Sequence, residues 1–416
     1  MDLRTPSTFR IFMTIYMFLL YLGLPFMNQS FMYTLAFFIL WGLYVKCDKR
    51  NIVVPAVLFL GYMIPFVVGS YLGGTYPLSM VYARAGASFF SLLMGYSSVR
   101  DNNKTPATII NRTIFNLSLA GSIYVFFSTI NTIIIRGITI KGQQRYFVTM
   151  WSEQEIQATT GIAEFAILGV CLFGCLAGGV YKQLTKIQKF AVIFGIISAV
   201  LFSFYGGSRT TIVIIVLVFS ISLLSSKSKL TSKISGLLIL ALVIAGVMIL
   251  YHYNIFDLKD IFDESNLLAR TEAGFFDGSD FTSGRMHRYR LQLEHFFTHP
   301  FGGRPFYDYI HNFWLDAHSA GGILSFVFSV AYTVLYLRDI YVFTTQYDID
   351  DTTRVLIISF TIAVMAYISV EPVIDGAIRF VMIWMILHGM VRAKMADMPR
   401  MSKLKTKKAQ RFRFSL

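Results

Sequence analysis

The residues best suited to chemistry in this chain lie in one short segment that runs from a polar loop into an apolar stretch. His311, Asn312, Asp316 and His318 place two imidazoles, an amide and a carboxylate within eight residues. An imidazole titrates near neutral pH and can take a proton from a hydroxyl group. Titratable groups are costly near lipid, so we interpret this cluster as a site, with His311 as the general base or the group that orients an acceptor.

The same side chains also allow a metal site, formed by Asp316 and His318 together with His311. Protein zinc sites take three or four ligands at recognised spacings, and no such spacing completes this set. We therefore predict that Asp316 and His318 contribute hydrogen bonds and that no metal ion is bound.

Arginines supply the second candidate feature. Arg209 lies in the sequence Gly206–Thr210, at the junction of two apolar segments. A guanidinium fork matches the oxygens of a phosphate or pyrophosphate. The long polar loop contributes further arginines, namely Arg270, Arg285, Arg288, Arg290 and Arg304. The alternative is that loop arginines pair with loop carboxylates such as Asp263 and Glu264. For the set as a whole we favour anion binding.

Two helices are needed to position these groups. The first is predicted over Ser283 to Thr298, where apolar residues recur at helical spacing, with Ser283 as N-cap and Pro300 as the stop. Arginines and histidines lie on the opposite face of this helix. The pattern indicates an amphipathic helix at a membrane surface.

The second helix is predicted to begin near Tyr307 and to run into the membrane. Within it, His311, His318 and Gly322 are separated by seven and four residues, so they are expected to lie along one stripe. Gly321 and Gly322 would let another helix or a substrate approach the backbone closely.

Composition places these helices in a membrane. Of the 416 residues, 55% are hydrophobic and 14% are charged, and the mean hydropathy is +0.59. Soluble domains carry roughly 25% charged residues, so the chain is expected to be an all-α polytopic integral membrane protein. The net charge of +14 is assigned to membrane-flanking segments and anionic lipid headgroups, and nucleic acid is not expected as a partner.

About twelve apolar segments are candidates to cross a bilayer, which requires about 20 residues per helix. The segments are Phe9–Phe26, Phe31–Val45, Ile52–Tyr71, Leu78–Val99, Ile109–Ile134, Gly161–Tyr181, Phe190–Tyr205, Thr211–Ser225, Ile234–His252, Ala320–Leu337, Val355–Val370 and Ala377–Val391. No linker divides the chain, so residues 1–416 are predicted to form one domain.

The distribution of charge predicts the topology. Basic residues gather in alternate connections and in the tail at residues 392–416, which marks the cytoplasmic side and places both termini there. The longer connections on the opposite side are residues 135–160 and residues 253–319. The second of these is too long for a simple turn, so it is expected to be functional or folded.

Charged groups inside the predicted spans are costly and therefore also candidates. They are Arg84, Arg112, Glu164 and Arg379. Arg379, with Glu371 and Asp375 in the last outer turn, is expected to face the same cavity as His311. Mutual ion pairing is the alternative.

The motif around His311 resembles that of the O-antigen polymerases and O-antigen ligases, which process undecaprenyl-pyrophosphate-linked glycans. The ligase-type pattern is His, then Asn, Ser or Gln, nine residues, Gly, two residues, then Gly, Thr or Tyr. Here His311 and Asn312 are followed after nine residues by Gly322. Ser325 departs from the last position, so the role of that position is not carried over.

Two other features extend the resemblance. Pro300–Arg304 is similar to the proline-glycine turn that these proteins place before the motif, and Ser208–Thr210 matches their Ser-Arg-Thr junction. The similar motifs span the latter half of the chain, and the helix number, topology and loop order extend the likeness over the whole.

The resemblance implies a GT-C-like, all-helical membrane glycosyltransferase in the inner membrane of a Gram-negative bacterium, with a periplasmic active site. Residues 253–319 would be the major periplasmic loop and residues 135–160 the second. The donor would be a glycan on undecaprenyl pyrophosphate, and no nucleotide sugar, metal or other cofactor is expected. A chain-length regulator and a flippase are further candidate partners.

The reaction expected of an O-antigen polymerase is displacement at the anomeric carbon of the donor's first sugar by a hydroxyl of a second lipid-linked repeat. His311 would accept the hydroxyl proton, and arginines would stabilise the departing pyrophosphate. The residues expected to bind substrate or pyrophosphate, besides catalytic Arg209, are Arg285, Arg288, Arg290, Arg304, Asn312, Asp316 and His318.

Two alternatives stay open. An O-antigen ligase would use the same donor but would transfer the glycan to lipid A-core. A lipid-linked oligosaccharide flippase belongs to a different class, but transporters show broken helices in paired halves and a polar site at the midplane. This chain concentrates its polar residues on one side, which argues against the flippase. The compact loop and the chain's 23 tyrosines and 39 phenylalanines favour the polymerase over the ligase.

Overall fold

The structure is a computed structural model of the chain. It describes residues 14–15, 17–19, 21–22, 49–72, 89–99, 106–137, 146–153, 156–177, 179–253, 285–302, 310–371 and 378–397. Arg84, Arg270, Asp375, Arg304 and the tail beyond residue 397 therefore lie outside the described residues. The side chains of Arg209, Arg285 and Arg379 are likewise not described.

Helices make up most of the described chain, and the protein is an all-α membrane protein, as its composition predicts. The helices are α1 (Lys49–Leu72), α2 (Phe89–Val99), α3 (Pro106–Arg136), α4 (Thr159–Val170), α5 (Val180–Gln183), α6 (Lys186–Gly206), α7 (Arg209–Ser225), α8 (Leu230–His252), α9 (Arg285–Glu294), α10 (Phe313–Gln346), α11 (Asp351–Ile368) and α12 (Ile378–Asp397). A 3-10 helix at Cys171–Leu176 extends α4, and strands β1 (Tyr146–Val148) and β2 (Ile156–Ala158) form an antiparallel hairpin.

Four helices of the described chain are long and apolar enough to cross a membrane, namely α3, α6, α10 and α11. Shorter apolar helices occur at Ile52–Pro65, Phe89–Val99, Gly161–Leu176 and Thr210–Ser225. The total of about twelve spans stays a prediction. The predicted segments Phe9–Phe26 and Phe31–Val45 lie mostly or wholly outside the described residues.

The hairpin of α6 and α7 brings Arg209 to one end of the bundle. α6 begins with a capping box, in which Thr185 Oγ1 accepts a hydrogen bond from the Gln188 N–H. It ends at Gly207, whose φ of 61° and ψ of 33° lie in the left-handed region that favours glycine. α7 then starts at Arg209, so Gly207 and Ser208 form a tight turn between the two helices and Arg209 and Thr210 are the first residues of α7.

Antiparallel packing of α7 against α11 shows which ends of these helices lie together. Ser222 Oγ and Ser359 Oγ are 2.7 Å apart, and the Lys227 N–H donates to Asp351 Oδ1 at 3.1 Å. The start of α7 lies 13 residues before Ser222, and the end of α11 lies 9 residues after Ser359. At about 1.5 Å rise per residue, these two termini are roughly 20 and 14 Å from the serine pair, toward the same end of the bundle.

The start of α10 joins the same end. Asn312 is the N-cap of α10, and its Nδ2 donates to the carbonyl oxygen of Ser369, the C-cap of α11, at 3.1 Å. We call this end of the bundle, defined by the start of α7, the end of α11 and the start of α10, the site end. The described residues therefore bring the Ser-Arg-Thr junction and the His-Asn motif to one end.

α10 begins at Phe313 and not near Tyr307, because the backbone of Asn312 is extended and its side chain caps the helix. His311 therefore lies outside the helix. The predicted stripe of His311, His318 and Gly322 is wrong, because a residue before the cap does not share the helical phase.

A kink interrupts α10 at Gly322, whose φ of 71° and ψ of −166° are not helical. The Ile323 N–H donates instead to the Pro300 carbonyl oxygen at 2.9 Å. A side chain at Gly322 would collide with that oxygen, and one at Gly302 would meet the backbone of Ala320 and Gly322. The two glycines thus let the proline-glycine turn sit directly on the α10 backbone.

The β-hairpin covers part of the site end. Phe147 packs on Phe202 and Tyr205 of α6, with ring centroids 5.4 and 5.7 Å apart. The Val148 N–H donates to Thr132 Oγ1 of α3 at 2.9 Å. The described part of the connection predicted as residues 135–160 therefore contains a short β-hairpin that packs on α3 and α6.

A polar network lies toward the opposite end of α10, where that helix packs against α12. Nδ1 of His388 is 2.6 Å from the Tyr332 hydroxyl, and its Nε2 is 3.0 Å from Asp339 Oδ2. Arg392 Nε donates to the same carboxylate oxygen. Tyr332, Asp339 and His388 are buried and Arg392 is partly exposed, so mostly buried polar contacts join α10 to α12.

Candidate functional site

His311 and Glu371 form the centre of the site. Nδ1 of His311 lies 3.6 Å from Oε2 of Glu371, and the two side chains are 21% and 7% exposed. This separation is longer than a hydrogen bond but short enough for an ion contact when the imidazole is protonated. With Nδ1 facing the carboxylate, Nε2 is the ring atom left to meet a substrate hydroxyl. The carboxylate would stabilise the imidazolium formed when Nε2 takes a proton.

The backbone of His311 adopts an uncommon conformation. Its φ is 58°, which makes it the non-glycine residue with positive φ in the described chain. This left-handed conformation costs roughly 1 kcal/mol for a residue with a Cβ. Such strain persists only where surrounding contacts impose it, and it is concentrated at functional sites.

Contacts on both sides hold His311 in this conformation. The Tyr289 hydroxyl of α9 donates to the His311 carbonyl oxygen at 2.7 Å. Asp316 Oδ1 accepts a hydrogen bond from the Ile310 N–H at 2.9 Å, which closes the chain into a loop around His311. Asp316 is fully buried near the start of α10, where the helix dipole also favours a carboxylate.

Asn312 has a structural role in addition to the substrate contact predicted for it. Its Oδ1 accepts from the N–H groups of Trp314 and Leu315 at 3.2 and 3.1 Å, and its Nδ2 donates to the Ser369 carbonyl. The amide therefore caps α10 and ties it to the end of α11. An aspartate at this position could cap the helix but could not make the Ser369 contact.

His318 faces the protein and not a cavity. The residue is fully buried, its Nδ1 is 2.6 Å from Gln292 Nε2, and its Nε2 is 2.9 Å from the Phe296 carbonyl oxygen. Its ring also stacks on that of Phe296, with centroids 4.0 Å apart. Both ring nitrogens are thus used within the protein, which leaves no free atom for the predicted substrate contact in this conformation.

The arginines predicted to bind pyrophosphate differ in their helix, in their exposure and in their ion pairing. The backbone of Arg209 starts α7 at the site end. Arg288 is half-buried on α9, and Arg285 is the first residue of that helix. Arg290 donates from Nε to Glu294 Oε1 at 2.8 Å on an exposed surface, which is the ion pairing given above as the alternative.

Three residues that contact His311 or Asn312 could be predicted from the sequence to different extents. Glu371 is expected near His311 because it lies in the turn before the last predicted span, and the two side chains are 3.6 Å apart in the structure. Tyr289 fits the apolar face of an amphipathic helix, so nothing marks its hydroxyl as a contact of His311. Ser369 contributes only a carbonyl oxygen, which no side-chain pattern reveals.

Within the described ranges, no group of three or more His, Cys, Asp or Glu side chains is placed so that it could hold a metal ion. Among the described residues His311 has the Glu371 carboxylate beside it, and the nitrogens of His318 face Gln292 of α9 and the Phe296 carbonyl.

Comparison with known proteins adds no family assignment. No protein-family model matches the chain, and no curated protein matches it.

Proposed function

We propose that the protein is an O-antigen polymerase: a membrane glycosyltransferase that joins undecaprenyl-pyrophosphate-linked repeat units. The observation that carries the proposal is the His311–Glu371 pair at the site end, the end at which α7 begins with Arg209. A base beside a carboxylate, at the same end of the bundle as an arginine that starts a helix, suits transfer from a pyrophosphate leaving group. The resemblance of the His-Asn and Ser-Arg-Thr motifs supplies the substrate class.

The reaction is a single displacement at the anomeric carbon of the donor. The acceptor hydroxyl oxygen forms the new glycosidic bond while the bond from that carbon to the pyrophosphate oxygen breaks, and the bonding electron pair leaves with the pyrophosphate. The acceptor proton passes to Nε2 of His311, and Glu371 stabilises the resulting imidazolium. Arg209, with Arg288 and the loop arginines other than Arg290, offsets the negative charge that develops on the leaving group.

The location follows from the same proposal. α6 ends and α7 begins at the site end. Lys186, at the start of α6, and Lys227, just after the end of α7, therefore lie at the opposite end of the bundle. Lysine and arginine concentrate in cytoplasmic loops, so the site end faces the periplasm and both termini face the cytoplasm. The membrane is the inner membrane of a Gram-negative bacterium.

The test is a reaction of the purified protein with lipid-linked repeats alone. The wild-type protein and a His287→Ala variant, which loses an exposed histidine of α9, are expected to form long chains. His311→Ala is expected to lower the rate by about 10²–10⁴-fold, the range for loss of a general base. Chains formed at the wild-type rate by His311→Ala would refute the proposal.

Two other outcomes would assign the protein elsewhere. Transfer only when lipid A-core is added would identify a ligase. Loss of repeat translocation across the membrane in His311→Ala, with no polymerisation by the wild type, would identify a flippase.

A further inference from the structure

The segment of residues 285–302, here called the α9 segment, is held against α10 by three separate contacts. Gln292 and Phe296 meet His318, and the Pro300 carbonyl accepts from Ile323 across the kink. The stacked rings of Phe296 and His318 lie only 12° from parallel. These contacts fix both the distance and the rotation of the α9 segment on the first turns of α10.

The hydrogen bonds of His318 join two segments of the chain, α10 and the α9 segment. A neutral imidazole has one donor and one acceptor nitrogen. If Nε2–H donates to the Phe296 carbonyl, then Nδ1 accepts from the Gln292 amide, and both ring nitrogens are satisfied. A buried imidazole in this arrangement defines one position of α9, because any shift would leave a buried polar atom without its partner.

The same helix reaches the site through Tyr289. Its hydroxyl donates to the His311 carbonyl oxygen at 2.7 Å and lies 3.4 Å from the Ser369 carbonyl oxygen. Tyr289 and Gln292 are three residues apart and therefore lie on one face of α9. The same face of α9 therefore contacts both the His318 side chain and the backbone of His311.

We propose that Tyr289 and His318 are positioning residues for His311. His318 fixes the position of α9 on α10, and Tyr289 of α9 in turn holds the His311 backbone through its hydrogen bond to the carbonyl oxygen. This inference rests on the proposed function, in which His311 is the base. Neither residue contacts the substrate. Their role is to keep the imidazole at the distance from Glu371 and from the acceptor at which proton transfer occurs.

The first test removes a single atom. Tyr289→Phe keeps the ring and deletes the hydroxyl, so His311 loses the contact that holds its carbonyl. We expect kcat to fall by about tenfold, the effect of one neutral hydrogen bond, and KM to stay within about twofold. Tyr341→Phe is the control, because Tyr341 is a tyrosine of α10 that is 65% exposed.

The second test replaces His318 with Phe, which keeps the stacking on Phe296 but loses both hydrogen bonds. A fall in kcat of the same kind is expected. When His318→Phe and Tyr289→Phe are combined, the loss should be smaller than the product of the two single losses, because both act through one residue. Thermal unfolding of each variant in detergent checks that the protein is folded.

The outcomes separate this inference from the proposed function. If His311→Ala is inactive and Tyr289→Phe keeps the wild-type kcat, the positioning role is refuted and the base stands. If Tyr289→Phe raises KM at unchanged kcat, Tyr289 binds substrate directly, which also refutes the positioning role. If His311→Ala is fully active, the proposed function itself has failed.

Discussion

Nδ1 of His311 and Oε2 of Glu371 lie 3.6 Å apart although 60 residues separate them in the chain. His311 precedes the N-cap of α10, and Glu371 follows the C-cap of α11. Their proximity depends on the Asn312 contact with Ser369, which holds the two helix ends together.

The first prediction concerns the carboxylate. Glu371→Gln keeps the shape of the side chain but removes its charge, so the imidazolium formed during the reaction loses its stabilising partner. We expect the polymerisation rate to fall by about 10²-fold, at the lower end of the range for acid–base catalysis. Initial rates with purified lipid-linked repeats measure the change.

Glu294→Gln is the control for this measurement, because it removes an exposed carboxylate of α9 that pairs with Arg290. Surface pairs of this kind contribute about 0–1 kcal/mol to stability. A Glu371→Gln variant as fast as Glu294→Gln would show that the carboxylate has no role in the reaction.

The second prediction uses the backbone strain of His311. Asparagine adopts the left-handed conformation more readily than other non-glycine residues, so His311→Asn should leave the unfolding temperature equal or higher while activity is lost. His311→Ala removes the same imidazole without relieving the strain to the same degree, so it should be no more stable than His311→Asn. Differential scanning fluorimetry measures both variants. Activity retained by His311→Asn would mean that the imidazole is dispensable.

The two helices that meet at Arg209 could be predicted from the sequence. The segment predicted as Phe190–Tyr205 corresponds to α6 within a few residues, because an apolar run with a threonine cap and a glycine stop defines both ends. The same is true of α7, which was predicted as Thr211–Ser225 and begins at Arg209. Local pattern is sufficient where a helix is apolar throughout.

The sequence prediction starts α10 too early. Asparagine is a preferred N-cap, and Asn312 Oδ1 accepts from the N–H groups of Trp314 and Leu315, so the sequence contains a local signal for the observed helix start. The left-handed conformation of His311 depends on Tyr289, which α9 brings to it, and on the contact between its chain neighbour Ile310 and Asp316 of α10. Such conformations have no signature in residue spacing.

The third prediction concerns the kink of α10. Gly322→Ala should lower stability by more than about 2 kcal/mol, because the alanine Cβ would collide with the Pro300 carbonyl in addition to the cost of positive φ. Gly179→Ala is the matched control. Gly179 has a φ of 85° and nothing within 4 Å of its added Cβ, so this variant pays only the conformational cost. Equal destabilisation of the two variants would contradict the contact between the turn and the kink.

The fourth prediction concerns the buried network between α10 and α12. Asp339→Ala should destabilise the protein by about 3–5 kcal/mol, because it leaves Arg392 and His388 without their shared buried carboxylate. Chemical or thermal unfolding in detergent measures the loss. Glu294→Ala, at an exposed pair, should change stability by less than about 1 kcal/mol. A similar small change for Asp339→Ala would show that the network is not a significant contact between these helices.

The most direct measurement is a cryo-electron microscopy structure of the protein with a bound polyprenyl-pyrophosphate glycan that cannot react. We expect the pyrophosphate within hydrogen-bonding distance of the Arg209 guanidinium at the site end, and the anomeric carbon on the Nε2 side of His311. A pyrophosphate bound at the opposite end of the bundle, or a His311 imidazole directed into lipid, would contradict the proposed reaction.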